Sequence, residues 1–94
     1  MYAVVNPATG TVEREYPTAT DAEIEQALAA ADTAFREWSK TSTVAQRAAL
    51  IKKVAQLHIE RREKLAEIIN REMGKPVDQS LGEVDFSAAI YDYY

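Results

Sequence analysis

Few side chains among these 94 residues could do chemistry, and they are quickly named. There is one histidine, His58, and no cysteine. Without a thiol, these residues hold no disulfide, no thiolate metal site and no cysteine nucleophile. That usage fits a reducing compartment. The stretch REMGKPVDQ, residues 71–79, sets Gly74 before Lys75. A glycine–lysine pair can belong to a phosphate-binding loop. Such a loop needs several glycines ahead of a helix, with the lysine at its mouth. Here a single glycine follows a helical pattern, and Pro76 removes a backbone donor. Gly74 therefore reads as a helix C-cap with a proline behind it.

Two ionisable residues stand out by position. Projected at about 100° per residue, Glu72 falls between Leu65 and Ile68, on the apolar side of the last turn. The helix dipole disfavours a carboxylate there. A buried carboxylate takes a counter-charge or a proton. An arginine partner is the plain expectation for Glu72, a bound cation the sharper one. His58 also intrudes on an apolar arc. With no activating partner nearby in sequence, it reads as a half-buried, hydrogen-bonded neutral imidazole rather than a catalytic base.

The elements that must position these groups are legible. YAVVNPATGTVEREYP predicts a β-hairpin over residues 2–16, turning at Pro7 and Gly10. A lone hairpin is marginal in water, so it needs a surface to pack on. Helices are predicted over about 21–38, 43–60, 62–73 and 78–94. Thr20 with Glu23 and Thr43 with Gln46 form capping boxes. In the first helix Ile24, Leu28, Ala31, Phe35 and Trp38 share a stripe that reads as core. Leu50, Ile51, Val54, Ala55 and Leu57 give the second a broad apolar arc, into which Arg47 also intrudes. A kink near residues 60–62 precedes the third, whose Leu65, Ile68, Ile69 and Met73 share a face. The last helix is apolar on two sides: Leu81, Val84, Ala88 and Tyr91 on one, Phe86, Ala89, Ile90 and Tyr93 on the other. Such a helix is buried on two sides. The expectation is therefore the N-terminal piece of a larger protein.

Bulk properties bound the rest. The length allows one domain at most. A net charge of −4 argues against nucleic acid and anionic membranes. Acids dominate residues 13–37 and bases residues 47–71, which reads as solvated helix faces. No aromatic lies within residues 44–72 to stack a base. No apolar run reaches the ~20 residues of a membrane span, so a cytoplasmic location is expected.

Taken together the pieces resemble a known family. VVNPATG, TDAEIEQALAAADTAFREW, QRAALIKKVAQLHIERREKLAEIINREMGKP and GEVDFSAAIYDYY follow one another as in the N-terminal region of the NAD(P)-dependent aldehyde dehydrogenase superfamily. They look most like its bacterial succinate-semialdehyde dehydrogenase branch. The resemblance implies an α/β parent, with residues 1–94 opening its Rossmann-like cofactor domain as a hairpin followed by about four helices. It implies an NAD- or NADP-dependent enzyme, oligomeric, that oxidises an aldehyde to the acid through a cysteine thiolate. The catalytic cysteine, general-base glutamate and cofactor glycines all belong downstream, so this stretch alone is expected to be inactive. By position, the resemblance also implies a K+ or Na+ held by the Val5 carbonyl and Glu72, and a substrate tunnel faced by Phe86. For Phe86, ordinary core packing is the competing expectation. His58 departs from a usually aliphatic family position. The rival reading of the whole chain is a small helical interaction module without activity.

Overall fold

Asn6 organises the first turn. Its side-chain oxygen accepts from the Ala8 amide at 3.0 Å, and its carbonyl accepts from the Gly10 amide at 2.7 Å. Gly10, at φ 72°, supplies the left-handed residue this turn requires. The computed structural model describes residues 1–94. Strands β1 (Tyr2–Val5) and β2 (Val12–Tyr16) pair antiparallel, with Val4 opposite Arg14 and Val5 opposite Val12. Glu13 is the extra residue of that bulge. A bulge re-aims a side chain. Here one Glu13 oxygen accepts from Asn6 Nδ2 at 3.1 Å, and the other lies 2.8 Å from Arg71 Nε. The hairpin is thereby tied to a helix nearly sixty residues on.

Both capping boxes form. The Thr20 hydroxyl accepts the Glu23 amide at 3.2 Å, and the Glu23 carboxylate accepts the Thr20 amide at 2.8 Å. That backbone bond, with the Thr20 hydroxyl second, holds the Glu23 carboxyl below the ordinary glutamate range. Helix α1 runs Asp21–Arg36 and stops two residues short of the expected end. At Glu37 the chain bends into a four-residue helix, α2 (Trp38–Thr41), which the periodicity did not reveal. Thr43 and Gln46 repeat the reciprocal cap, at 3.1 and 2.8 Å, and open α3 (Val44–Glu60). Arg47, the intruder on the apolar arc, fastens this corner. Its Nη1 reaches the Ser42 carbonyl at 2.7 Å, the Ser42 hydroxyl at 2.9 Å and the Ser39 carbonyl at 3.2 Å.

Arg61, at φ −105° and ψ 18°, makes the expected kink before α4 (Arg62–Met73). Gly74 closes α4 in the left-handed region at φ 71°, its amide donating to the Asn70 carbonyl at 2.8 Å. A Cβ on Gly74 would meet Pro7 Cγ at 2.9 Å. The glycine therefore ends the helix and also admits the hairpin turn. Helix α5 (Val77–Tyr93) follows without a side-chain cap. Instead Asn70 Nδ2 and the buried Ser80 hydroxyl both donate to the Lys75 carbonyl, at 2.8 and 3.1 Å.

Helix α5 lies between α3 and α4 and carries most of the interhelical packing. The buried residues are small: Ala55 on α3, Ala66 on α4, and Ser80, Val84 and Ala88 on α5. Small side chains let helix axes approach closely. The charges of α5 follow the same arrangement. It has four carboxylates and no base. Three of the four are paired: Glu83 to Lys75 at 2.5 Å, Asp92 to Lys52 at 3.7 Å, and Asp85 to Arg62. The last pair is bidentate, Nε to Oδ1 at 2.6 Å and Nη2 to Oδ2 at 2.8 Å.

One expectation fails clearly. The α1 stripe does not form core. Leu28 is 60% exposed and Phe35 68%, and no α1 residue is buried. The physical reason is that α1 packs chiefly along α2, which leaves most of its apolar side uncovered. Met73, expected on the shared face of α4, is also exposed. The whole is a slab of 48 × 36 × 14 Å. Its radius of gyration is 17.4 Å, where about 12 Å is usual for a compact domain of this length. Its accessible surface is 7593 Å², about 2,000 Å² above that of a compact chain of this mass.

Two outcomes are expected. Gly74→Ala forces both the backbone and the Pro7 contact. It should lower stability by about 1–3 kcal/mol in denaturant titration, and an unchanged midpoint would contradict the docking role of Gly74. The second concerns Asp85, whose carboxyl the hydrogen bonds from Arg62 hold below the usual aspartate range. A depressed folded pKa means that this contribution is fully present above the ordinary aspartate pKa. It is lost as pH falls through the lower, folded value. Carbon-detected NMR titration should find the Asp85 midpoint below the ordinary aspartate range. Arg62→Gln should raise it.

Candidate functional site

The chemistry-bearing residues gather at two places. One is the cleft between the hairpin and the end of α4. Val4, Glu13, Arg14 and Tyr16 line it from the hairpin, with Ile68, Arg71 and Glu72 from the helix, and the Arg14 guanidinium lies over the Tyr16 ring. Glu72 is exposed, not buried as its wheel position suggests. Helix α5 covers the apolar face of α4 only from Val77 onward, and the hairpin shields one side of the last turn. The arginine partner expected for Glu72 is not formed. Arg71 is engaged by Glu13, and Glu72 makes no ion pair within 4.0 Å. An unpaired carboxylate and a backbone carbonyl at the edge of the same hairpin are hard oxygen donors, suited to a hard cation. Val5 immediately follows the cleft residue Val4. Val5 itself is not among the residues that line the cleft. The chain holds no cluster of three or more acidic or histidine side chains that would make a complete coordination shell.

The Gly74-Lys75 pair is settled as a stop signal. The Lys75 ammonium is paired with Glu83, and its carbonyl is taken by Asn70 and Ser80. His58 is half-buried, as expected. Its Nδ1 lies 2.8 Å from the Val54 carbonyl, which can only accept, so Nδ1 carries a proton. The ring leans on Tyr91, with centroids 5.0 Å apart at 52°. This is a packing histidine that bridges α3 and α5.

The second place is the outer side of α5. Phe86, Ala89, Ile90, Tyr93 and Tyr94 line a shallow and mainly apolar groove. Phe86 is 69% exposed and Tyr93 82%. The competing expectation that Phe86 is core is therefore not met within this chain. The inner side, through Val84 and Ala88, is buried against α3 and α4. Sequence reasoning missed the Arg62–Asp85 pair, whose members are 23 residues apart. The available signal was compositional: α5 is rich in acids and has no base, so its partners had to come from elsewhere.

Comparison with known proteins follows these same elements. Residues 1–94 match the sequence profile of the aldehyde dehydrogenase family. A succinate-semialdehyde dehydrogenase [NADP(+)] of Deinococcus radiodurans is 41% identical over 93 residues, which is 99% of this chain and 19% of that protein. A malonate-semialdehyde dehydrogenase of Bacillus cereus is 45% identical over 84 residues, 89% of this chain and 17% of that protein. The crystal structure of succinic semialdehyde dehydrogenase from Streptococcus pyogenes, in complex with NADP+, superposes with a TM-score of 0.94 at 33% identity. It covers 100% of this chain and 21% of that one. The chain thus spans about a fifth of the length of the relatives it matches. One family profile takes in every residue, and a solved member overlays every element from hairpin to α5, so the chain belongs to the aldehyde dehydrogenase family.

Proposed function

We propose that these residues open the cofactor-binding domain of a cytoplasmic, oligomeric subunit that oxidises an aldehyde to the carboxylic acid with NAD(P)+. The observation that carries this reading is the match of the entire chain to one enzyme family at a fifth of its members' length. The open surface supports it. An excess of about 2,000 Å², with apolar stripes on α1 and α5, is what a piece of a larger core presents. No helix is long and apolar enough to cross a membrane.

The substrate class follows from the relatives. Succinate and malonate semialdehydes are both short aldehydes with a carboxylate at the far end. An enzyme of this branch would need a cation or amide donors for that carboxylate. The outer groove of α5 is mainly apolar and offers neither. In this reading Phe86 faces the aldehyde channel and packs against the carbon chain, while the anionic end is met by residues outside positions 1–94. When bound, NAD(P)+ accepts the hydride. These residues supply no thiol for the covalent step.

The experiment is direct. The whole gene product should reduce NADP+ or NAD+ in the presence of succinate or malonate semialdehyde. The 94-residue chain alone should give no aldehyde-dependent signal. Turnover by the isolated chain, free of longer enzyme, would overturn the division of labour. An intact mass of the natural product equal to these residues alone would favour the interaction module.

The cation belongs to the same reading, with the Val5 carbonyl and the Glu72 carboxylate as two of its ligands. It would supply structural charge balance at the hairpin–α4 junction. A ligand that binds only the folded state raises the melting temperature. The complete protein should therefore melt higher in potassium or sodium chloride than in choline chloride at equal ionic strength. Glu72→Gln should abolish that difference. A wild type indifferent to the three salts would remove the cation from the account.

A further inference from the structure

The ion pairs of α5 do more than hold it down. The helix is fully buried only at Ser80, Val84 and Ala88, small side chains beside which the half-buried Leu81 and Tyr91 make the larger contacts of that face. A small-residue centre of this kind fixes how close the helices come. It resists rotation of α5 about its own axis only poorly. Something else must set that angle.

The His58–Tyr91 ring contact bears on that angle, and among the polar contacts of α5 one has the geometry to fix it. Asp85 receives two parallel bonds from Arg62, at 2.6 and 2.8 Å. A fork-to-carboxylate pair fixes orientation as well as distance. The other two pins are single-point lysine contacts. Arg62 is also well placed as an anchor. It is the first residue of α4, next to the Arg61 kink that joins α3 to α4. Its backbone is thus tied to both helices against which α5 packs.

Phe86 is the residue after Asp85. It lies about 100° further round the helix and points away from the buried face. Any turn of α5 therefore moves the Phe86 ring. A rotation of about 10° carries a ring roughly 6 Å from the axis through about 1 Å. Displacements of that size matter to a channel that separates substrates by one methylene.

We propose that Arg62 and Asp85 are positioning residues for the aldehyde channel: their bidentate pair sets the rotation of α5 and, through it, the position of the Phe86 ring. The inference rests on the reading of Phe86 given above. It adds a determinant of aldehyde selectivity that makes no contact with the aldehyde.

The test uses the complete subunit with NADP+ and two aldehydes that differ by one methylene, succinate and malonate semialdehyde. The variants are Asp85→Asn, Arg62→Lys, Phe86→Ala and the double Asp85→Asn/Phe86→Ala. Asp85→Asn keeps the shape and loses the charge. Arg62→Lys keeps the charge and loses the fork, and it serves if the first variant folds poorly. Each should raise the aldehyde KM by roughly three- to tenfold and shift the succinate-to-malonate ratio of kcat/KM. The KM for NADP+ should stay unchanged, and kcat should move far less than the aldehyde KM. The double variant should match Phe86→Ala alone, because the pair acts through that ring. If Phe86→Ala shifts the ratio while Asp85→Asn and Arg62→Lys only lower the melting temperature, the inference is overturned and the reading of Phe86 stands. If Phe86→Ala itself leaves the ratio alone, the reading of Phe86 fails and takes the inference with it.

Discussion

Close approach of α5 to two other helices is the constraint on which this structure depends. Helix α3 and helix α4 are joined by one non-helical residue and barely touch each other. Each is held chiefly by α5. The seam is made of Ala55, Ala66, Ser80, Val84 and Ala88, none of them large. Burying alanines removes little apolar area, at roughly 25 cal/mol per Å². The stability of the seam therefore depends on backbone proximity and on satisfied polar groups. Ser80 illustrates both, since its fully buried hydroxyl is spent on the Lys75 carbonyl. The loop before α5 is thereby fixed, and the hairpin can dock over Gly74.

What was legible in the sequence was local. The two capping boxes, the left-handed glycines and the kink at Arg61 each depend on a few neighbouring residues, and all appear as expected. So does the hairpin, because Asn6 and Gly10 determine its turn between them. His58 was readable because a lone imidazole on an apolar arc has few ways to be satisfied. The helix α2 was not readable, because four residues are too few to show a period.

The failures share a cause. Periodicity says that a face will be covered, but not by what. The α1 stripe is well formed and mostly uncovered here, so its reading as core was correct in pattern and wrong in place. Glu72 fell on the apolar side of its helix, yet burial depends on how far the neighbouring elements extend, and α5 begins too late to cover it. The Arg62–Asp85 pair joins helices whose relative placement is tertiary, so no spacing rule could announce it.

The position of the charges on α5 gives the last step. The inner face is buried through Ser80, Val84 and Ala88; the outer face is large, mainly apolar and open. Glu83, Asp85 and Asp92 lie on the borders between the two, where their side chains remain 45–71% exposed. Carboxylates so placed keep most of their hydration and avoid the desolvation cost of a buried pair. By the same token they contribute little net stability. A contact that is weak in energy but strict in direction is suited to choosing among orientations that packing leaves nearly equal. That is the task a helix faces when its inner side is small at the centre and its outer side must present particular residues at particular angles. The seam holds α5 in place, and the Arg62–Asp85 fork favours one facing over its neighbours.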